Sequence, residues 1–143
     1  MSLFTRLLLK LGYLDRLTWL RSKGMIIGER CFILDEVRID PGFEHLIMLG
    51  DEVTISPQVF LLAHDACTKR ALGLTRKMMV KIGSRTFIGA RALIMPGVTI
   101  GDDCIIGAGS VVTHDIPNNS VACGNPARVT MGMEHFLKRR ASA

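Results

Sequence analysis

The sequence predicts an all-β fold, a coil of short parallel strands stacked on itself, with helical segments only at its two ends. Three observations predict it. From Ile82 an aliphatic β-branched residue recurs every six positions, at Ile82, Ile88, Ile94, Ile100, Ile106 and Val112. Four of these are followed directly by glycine, at Gly83, Gly89, Gly101 and Gly107. And 48% of the 143 residues are hydrophobic while only 6% are aromatic, so the core must be built from Ile, Val, Leu and small residues.

A period of six is neither the 3.6 of a helix nor the plain alternation of a strand. It suits a short strand and a corner, repeated. Three such sides close a triangular coil of about eighteen residues, and coils hydrogen-bond to one another as parallel strands. The repeated aliphatic points inward. So does the residue two before it, which is always small or β-branched: Val80, Thr86, Ala92, Val98, Cys104 and Ser110. Glycine follows at the corner, where a positive φ or a close backbone approach excludes a side chain.

The N-terminal segment, residues 1–24, reads differently. Leu3, Phe4, Leu7, Leu8, Leu11, Leu14, Leu17 and Leu20 fall on one broad helical stripe, with Arg6, Lys10, Arg16 and Arg21 mostly off it. That predicts an amphipathic helix over Ser2–Ser22, weakened at Gly12. Such a helix serves as a cap on the first coil or on a neighbouring subunit. The sharper reading is a basic amphipathic helix in peripheral contact with a membrane surface.

The repeat domain runs over residues 25–130, with about five coils in Met25–Val129. Its early register is Ile27, Ile33, Ile39, then Leu49, Ile55, Leu61. The step of ten from Ile39 to Leu49 inserts about four residues near Gly42–His45. The step of 21 from Leu61 to Ile82 exceeds eighteen by three, which places an external loop near residues 65–79. Asp65–Lys81 carries Lys69, Arg70, Arg76, Lys77 and Lys81 against Asp65 alone, a cationic rim for an anionic ligand or a solvated loop. A tail, residues 131–143, ends in a short helix bearing Lys138, Arg139 and Arg140.

Several classes are excluded. No window of 18 apolar residues exists, so no membrane-spanning helix is expected. Cys31, Cys67, Cys104 and Cys123 form no C-x-x-C pair, which argues against a metal site and for reduced thiols in the cytoplasm. The N-terminus lacks a secretory cleavage pattern. The net charge of +5 comes without a zinc-finger spacing, helix-turn-helix or aromatic platform, so no nucleic-acid partner is expected.

The run IMPGVTIGDDCIIGAGSVVTHDIP, with GNPARV after it, resembles the hexapeptide-repeat acyltransferases. The nearest group is the sugar O-acetyltransferases of the maltose, galactoside and capsular-polysaccharide type. The resemblance implies a left-handed parallel β-helix, an exception to the usual crossover hand. It implies a homotrimer with clefts between neighbouring prisms, acetyl-CoA as donor and a sugar or polysaccharide precursor as acceptor. An amino-sugar N-acyltransferase and a non-catalytic trimeric scaffold are alternatives. Residues 2–23 depart from the longer N-terminus of the maltose and galactoside enzymes, which shifts weight towards polysaccharide-modifying relatives, in the cytoplasm or at the inner face of the membrane.

The resemblance also implies roles. His64, in FLLAHDA where the repeat breaks, matches the general base. Imidazole suits this chemistry, since it can take a hydroxyl proton and return it to the leaving thiolate. Asp65 and Glu44 are candidates to orient its ring, beside a backbone carbonyl. The backbone N–H groups of Gly89 and Ala90 match the oxyanion donors. Ala90, Ala108, Thr113 and His114 match positions lining the pantetheine arm, and Arg128 one near the nucleotide phosphates. A γ-class carbonic anhydrase shares such a coil, but its catalytic zinc needs three ligands, and no close histidine pair is present here.

Overall fold

The structure, a computed structural model, describes residues 15–142. It is mostly β: three stacked parallel sheets form the faces of a prism, with short helices at either end. Helix α1 (Arg16–Ser22) begins at Asp15, whose side chain accepts from the Thr18 N–H. The part of the expected helix up to residue 14 lies outside the described residues. Leu20 of α1 is buried in the core, and Arg16 donates to the carbonyls of Leu34 and Val37. The helix thus closes the open end of the first coil, as a cap would.

The first coil consists of β1 (Ile26–Ile27), β2 (Phe32–Ile33) and β3 (Arg38–Ile39). A 3-10 turn, Glu44–Leu46, takes up the inserted residues. The second coil is β4 (Ile47–Leu49), β5 (Thr54–Ile55) and β6 (Phe60–Leu61). The excursion follows: β7 (His64–Asp65), helix α2 (Lys69–Leu72) and β8 (Arg76–Lys77). The third coil is β9 (Val80–Ile82), β10 (Phe87–Ile88) and β11 (Leu93–Ile94), and the fourth β12 (Thr99–Ile100), β13 (Ile105–Ile106) and β14 (Val111–Val112). The first sheet holds β1, β4, β9 and β12. The second holds β2, β5, β10 and β13, and the third β3, β6, β11 and β14.

Register explains the repeat. Ile82 pairs with Ile100, Ile88 with Ile106 and Ile94 with Val112, each one coil apart. All six aliphatic stops are at most 2% exposed, and so are all six residues two positions before them. The polar members of that inner row are satisfied internally: Thr86 Oγ1 donates to the Gly101 carbonyl and Ser110 Oγ to that of Gly107. Such satisfaction is what buried hydroxyls require.

Three features differ from expectation. First, the corner glycines are not the left-handed residues. Positive φ falls three positions after every stop but Leu61 and Val112, at Arg30, Glu36, Gly42, Glu52, Gln58, Arg85, Arg91, Gly97, Asp103 and Gly109. The glycine next to the stop is there for close approach: a Cβ on Gly83 would stand 2.5 Å from the backbone carbon of Gly101. Second, Leu49 pairs with Ile82, 33 residues on, so the excursion inserts fifteen residues into an eighteen-residue coil instead of three. Third, the last coil does not complete. After a bridge at Ile116 the chain enters β15 (Ser120–Gly124), which turns at a cis Asn125–Pro126 bond into β16 (Ala127–Gly132). This antiparallel hairpin extends the second sheet, so four full coils and a partial fifth form the stack. Helix α3 (Met133–Ala141) ends the described chain.

Candidate active site

His64 begins the excursion, just past the edge between the third and first sheets. Its half-buried ring is held on two sides. Nδ1 lies 2.5 Å from Oδ2 of Asp40, and Phe43 stacks on the imidazole with centroids 4.5 Å apart. Asp40 is 3% exposed, and the same oxygen accepts the backbone N–H groups of Ala63 and His64, each at 3.0 Å. A buried carboxylate with these neighbours fixes the tautomer: Nδ1 carries the proton and donates it to Asp40. Nε2 is then left with a lone pair, and no described residue bonds to it. This is the base-and-orienter arrangement that proton abstraction from an alcohol needs.

The carboxylate that holds the His64 ring is Asp40, and neither candidate named from the sequence, Asp65 or Glu44, does so. Asp65 turns away to accept the Cys67 N–H at 2.8 Å and its thiol at 3.2 Å. Those bonds hold the Asp65 carboxyl below its usual range and push the Cys67 thiol up. Glu44 is buried in the 3-10 turn but makes no hydrogen bond to the His64 ring. The missed signal was the insertion itself. Across it Ile39 pairs with Leu61, a step of 22, so the residue following Ile39 lies beneath Leu62 and beside His64.

The remaining candidates divide between two edges of the prism. Gly89, Ala90 and Ala108 lie where the second sheet gives way to the third. The Gly89 N–H donates to the Ile106 carbonyl at 2.8 Å. No described acceptor takes the Ala90 N–H. Cys123 of β15 packs over Gly107 on this same edge, with exposed Arg128 paired across from it on β16. Thr113 and His114 lie on the His64 edge, following β14, two coils above β6. Thr113 Oγ1 is 2.8 Å from His114 Nδ1. One chain thus brings Thr113 and His114 to the edge that carries His64, while Ala90, Ala108 and Arg128 belong to another.

Among the described residues no group of three or more His, Cys, Asp or Glu side chains could hold a metal ion, and no helix is long and apolar enough to cross a membrane.

Residues 79–114 match the family described as bacterial transferase hexapeptide (six repeats). A crystal structure of a maltose O-acetyltransferase from Clostridium difficile 630 superposes with a TM-score of 0.64 at 34% identity, over 82% of this chain and 74% of that one. The chain belongs to the hexapeptide-repeat acetyltransferase family. A galactoside acetyltransferase in complex with coenzyme A gives a TM-score of 0.61 at 32% identity, over 79% and 67%. In sequence, galactoside O-acetyltransferase of Escherichia coli K12 is 43% identical over 89 residues, 60% of this chain and 44% of that relative. The chain spans less than half the length of the curated relatives it matches. In this family member the run IMPGVTIGDDC comprises the end of β11, the corner after it, strand β12 and the next corner, so the motif is the coil architecture itself.

Proposed function

We propose that this protein is an acetyl-CoA-dependent O-acetyltransferase that acts on a hydroxyl of a sugar or polysaccharide precursor, with His64 as general base. The observation that carries the reading is the Asp40–His64 pair, which leaves Nε2 free at a prism edge. The acceptor hydroxyl gives its proton to Nε2 as its oxygen attacks the thioester carbonyl. The C–S bond then breaks, and the imidazolium returns the proton to the departing thiolate. Asp40 stabilises the imidazolium in between. No protein nucleophile is needed, so transfer is direct. The developing oxyanion is met by the Ala90 N–H, the donor of the Gly89–Ala90 pair that the ladder leaves uncommitted.

His64 and Ala90 lie on different edges of one prism, so a site using both is built between copies. This favours a homotrimer in which one copy supplies the base and the next the oxyanion donor and much of the pantetheine channel. The exposed apolar stripes on the second and third sheets, Phe32, Phe87 and Phe60, support such packing. The chemistry of the strip fits coenzyme A: Ala90 and Ala108 leave room for an extended arm, His114 can donate to it, and Arg128 presents a planar fork of donors to phosphate. Bound acetyl-CoA supplies the activated acetyl group.

The test is titration of acetyl-CoA into wild type and His64→Ala, with transfer to sugar acceptors measured beside it. His64→Ala is expected to bind donor with wild-type affinity and to lose about 10²–10⁴-fold in turnover. Full turnover in that variant removes His64 from the mechanism, and no donor binding by either protein removes acetyl-CoA.

A further inference from the structure

The segment that carries the base also carries an unpaired cation held against it. Strands β7 and β8 pair antiparallel, with His64 opposite Lys77 and Asp65 opposite Arg76. The Lys77 ammonium stands 5.5 Å from the centre of the Phe43 ring, the same ring that stacks on His64. Ammonium, phenyl and imidazole thus form one layered unit. The carboxylates nearby are engaged elsewhere or buried: Asp40 holds His64, Asp65 holds Cys67, and Glu44 is buried in the turn below. Among the described residues no ion pair involves Lys69, Arg70, Arg76, Lys77 or Lys81.

We propose that the acceptor is an acidic sugar, and that Lys77 sets this specificity by binding the acceptor's carboxylate while a hydroxyl of the same unit meets His64 Nε2. The inference rests on the transferase reading above and names its substrate class. Its physical basis is preorganisation. Cation–π attraction to the Phe43 ring, 5.5 Å from the ammonium, favours the placed lysine, so less side-chain freedom is lost on binding. The exposed ammonium keeps its donors for a ligand, and the other loop cations draw anions towards the cleft. A neutral sugar in the same place would leave the ammonium partly desolvated and without a counter-charge. Lys77 serves the acceptor and not the phosphates of coenzyme A, because it is stacked through Phe43 onto the base. The group that must meet the base is the acceptor hydroxyl.

The experiment uses the full chain with acetyl-CoA and matched acceptor pairs: uronic-acid and sialic-acid oligosaccharides, each beside its carboxyl-reduced counterpart. Wild type is expected to favour acidic members by about tenfold or more in kcat/KM, a charge-assisted hydrogen bond's worth. In Lys77→Gln that ratio collapses towards one, mainly through KM, and in Lys77→Arg it is largely kept. Equal use of acidic and reduced members overturns the inference, as does an unchanged ratio in Lys77→Gln. A rise in the Kd of coenzyme A with no change in acceptor preference also overturns it and assigns Lys77 to the donor. If acetyl-CoA binds but no acidic member is acetylated, this inference alone fails. If acetyl-CoA neither binds nor turns over, the transferase reading fails and takes the inference with it.

Discussion

One oxygen of Asp40 accepts three hydrogen bonds, two from the backbone of Ala63 and His64 and one from the imidazole. The backbone pair fixes the carboxylate, and the carboxylate fixes the ring. Asp40→Asn keeps the volume but removes the charge that, in the proposed mechanism, stabilises the imidazolium and selects the tautomer. It is expected to lower kcat by about 10²–10⁴-fold with acceptor KM within about threefold, whereas Asp65→Asn keeps kcat within about threefold. Steady-state kinetics of both variants decide. An unchanged kcat in Asp40→Asn shows that the pair is structural only. His64 was legible in the sequence because it stands where the hexad breaks. Asp40 was not, because its place beside His64 depends on a step of 22 that only the pairing of Ile39 with Leu61 reveals.

At the scale of elements, the corner divides two demands that the sequence merges in one glycine signal. Where glycine follows an aliphatic stop, as at Gly83, a side chain is excluded because the next coil lies against it. The residue two further on must turn with positive φ, and arginine, glutamate and aspartate do so at some corners and glycine at others. Their polar side chains then pair along the prism, as Arg85 does with Asp103 and Arg30 with Glu52. Gly83→Ala puts a Cβ against the backbone of the next coil and is expected to cost about 3 kcal/mol. Gly109→Ala meets open space at φ +70 and is expected to cost about 1–2 kcal/mol. Thermal or denaturant unfolding of the two variants checks the order, and the reverse order contradicts this division of roles. The repeat was legible because its inward rows are strictly periodic. The fifteen-residue excursion and the closing hairpin were not, since an insertion hides the register on either side of it and the antiparallel return of β16 breaks the period altogether.

For the whole molecule, the prism separates the chemistry. His64 and Asp40 stand on the edge between the third and first sheets, and the small-residue strip of Ala90 and Ala108 on the edge between the second and third. No bending of a coil stack with a continuous aliphatic core brings two edges together. The proposed ring of copies would do so without distortion, with the His64 edge of each copy set against the strip edge of the next so that the contacts close on themselves. This arrangement predicts complementation. His64→Ala lacks the base, and Ala108→Trp, at an exposed position, blocks the pantetheine channel. Each alone is expected to be inactive. Refolded or co-expressed together in equal amounts, they place an intact base edge against an intact strip edge at about a quarter of the sites. Mixed assemblies are therefore expected to recover about a quarter of wild-type turnover per site, and a site within one chain would recover none, because every chain in the mixture then carries a defect. Measuring turnover against the mixing ratio tests the ring further, since a shared site peaks at equal proportions and falls away symmetrically on either side.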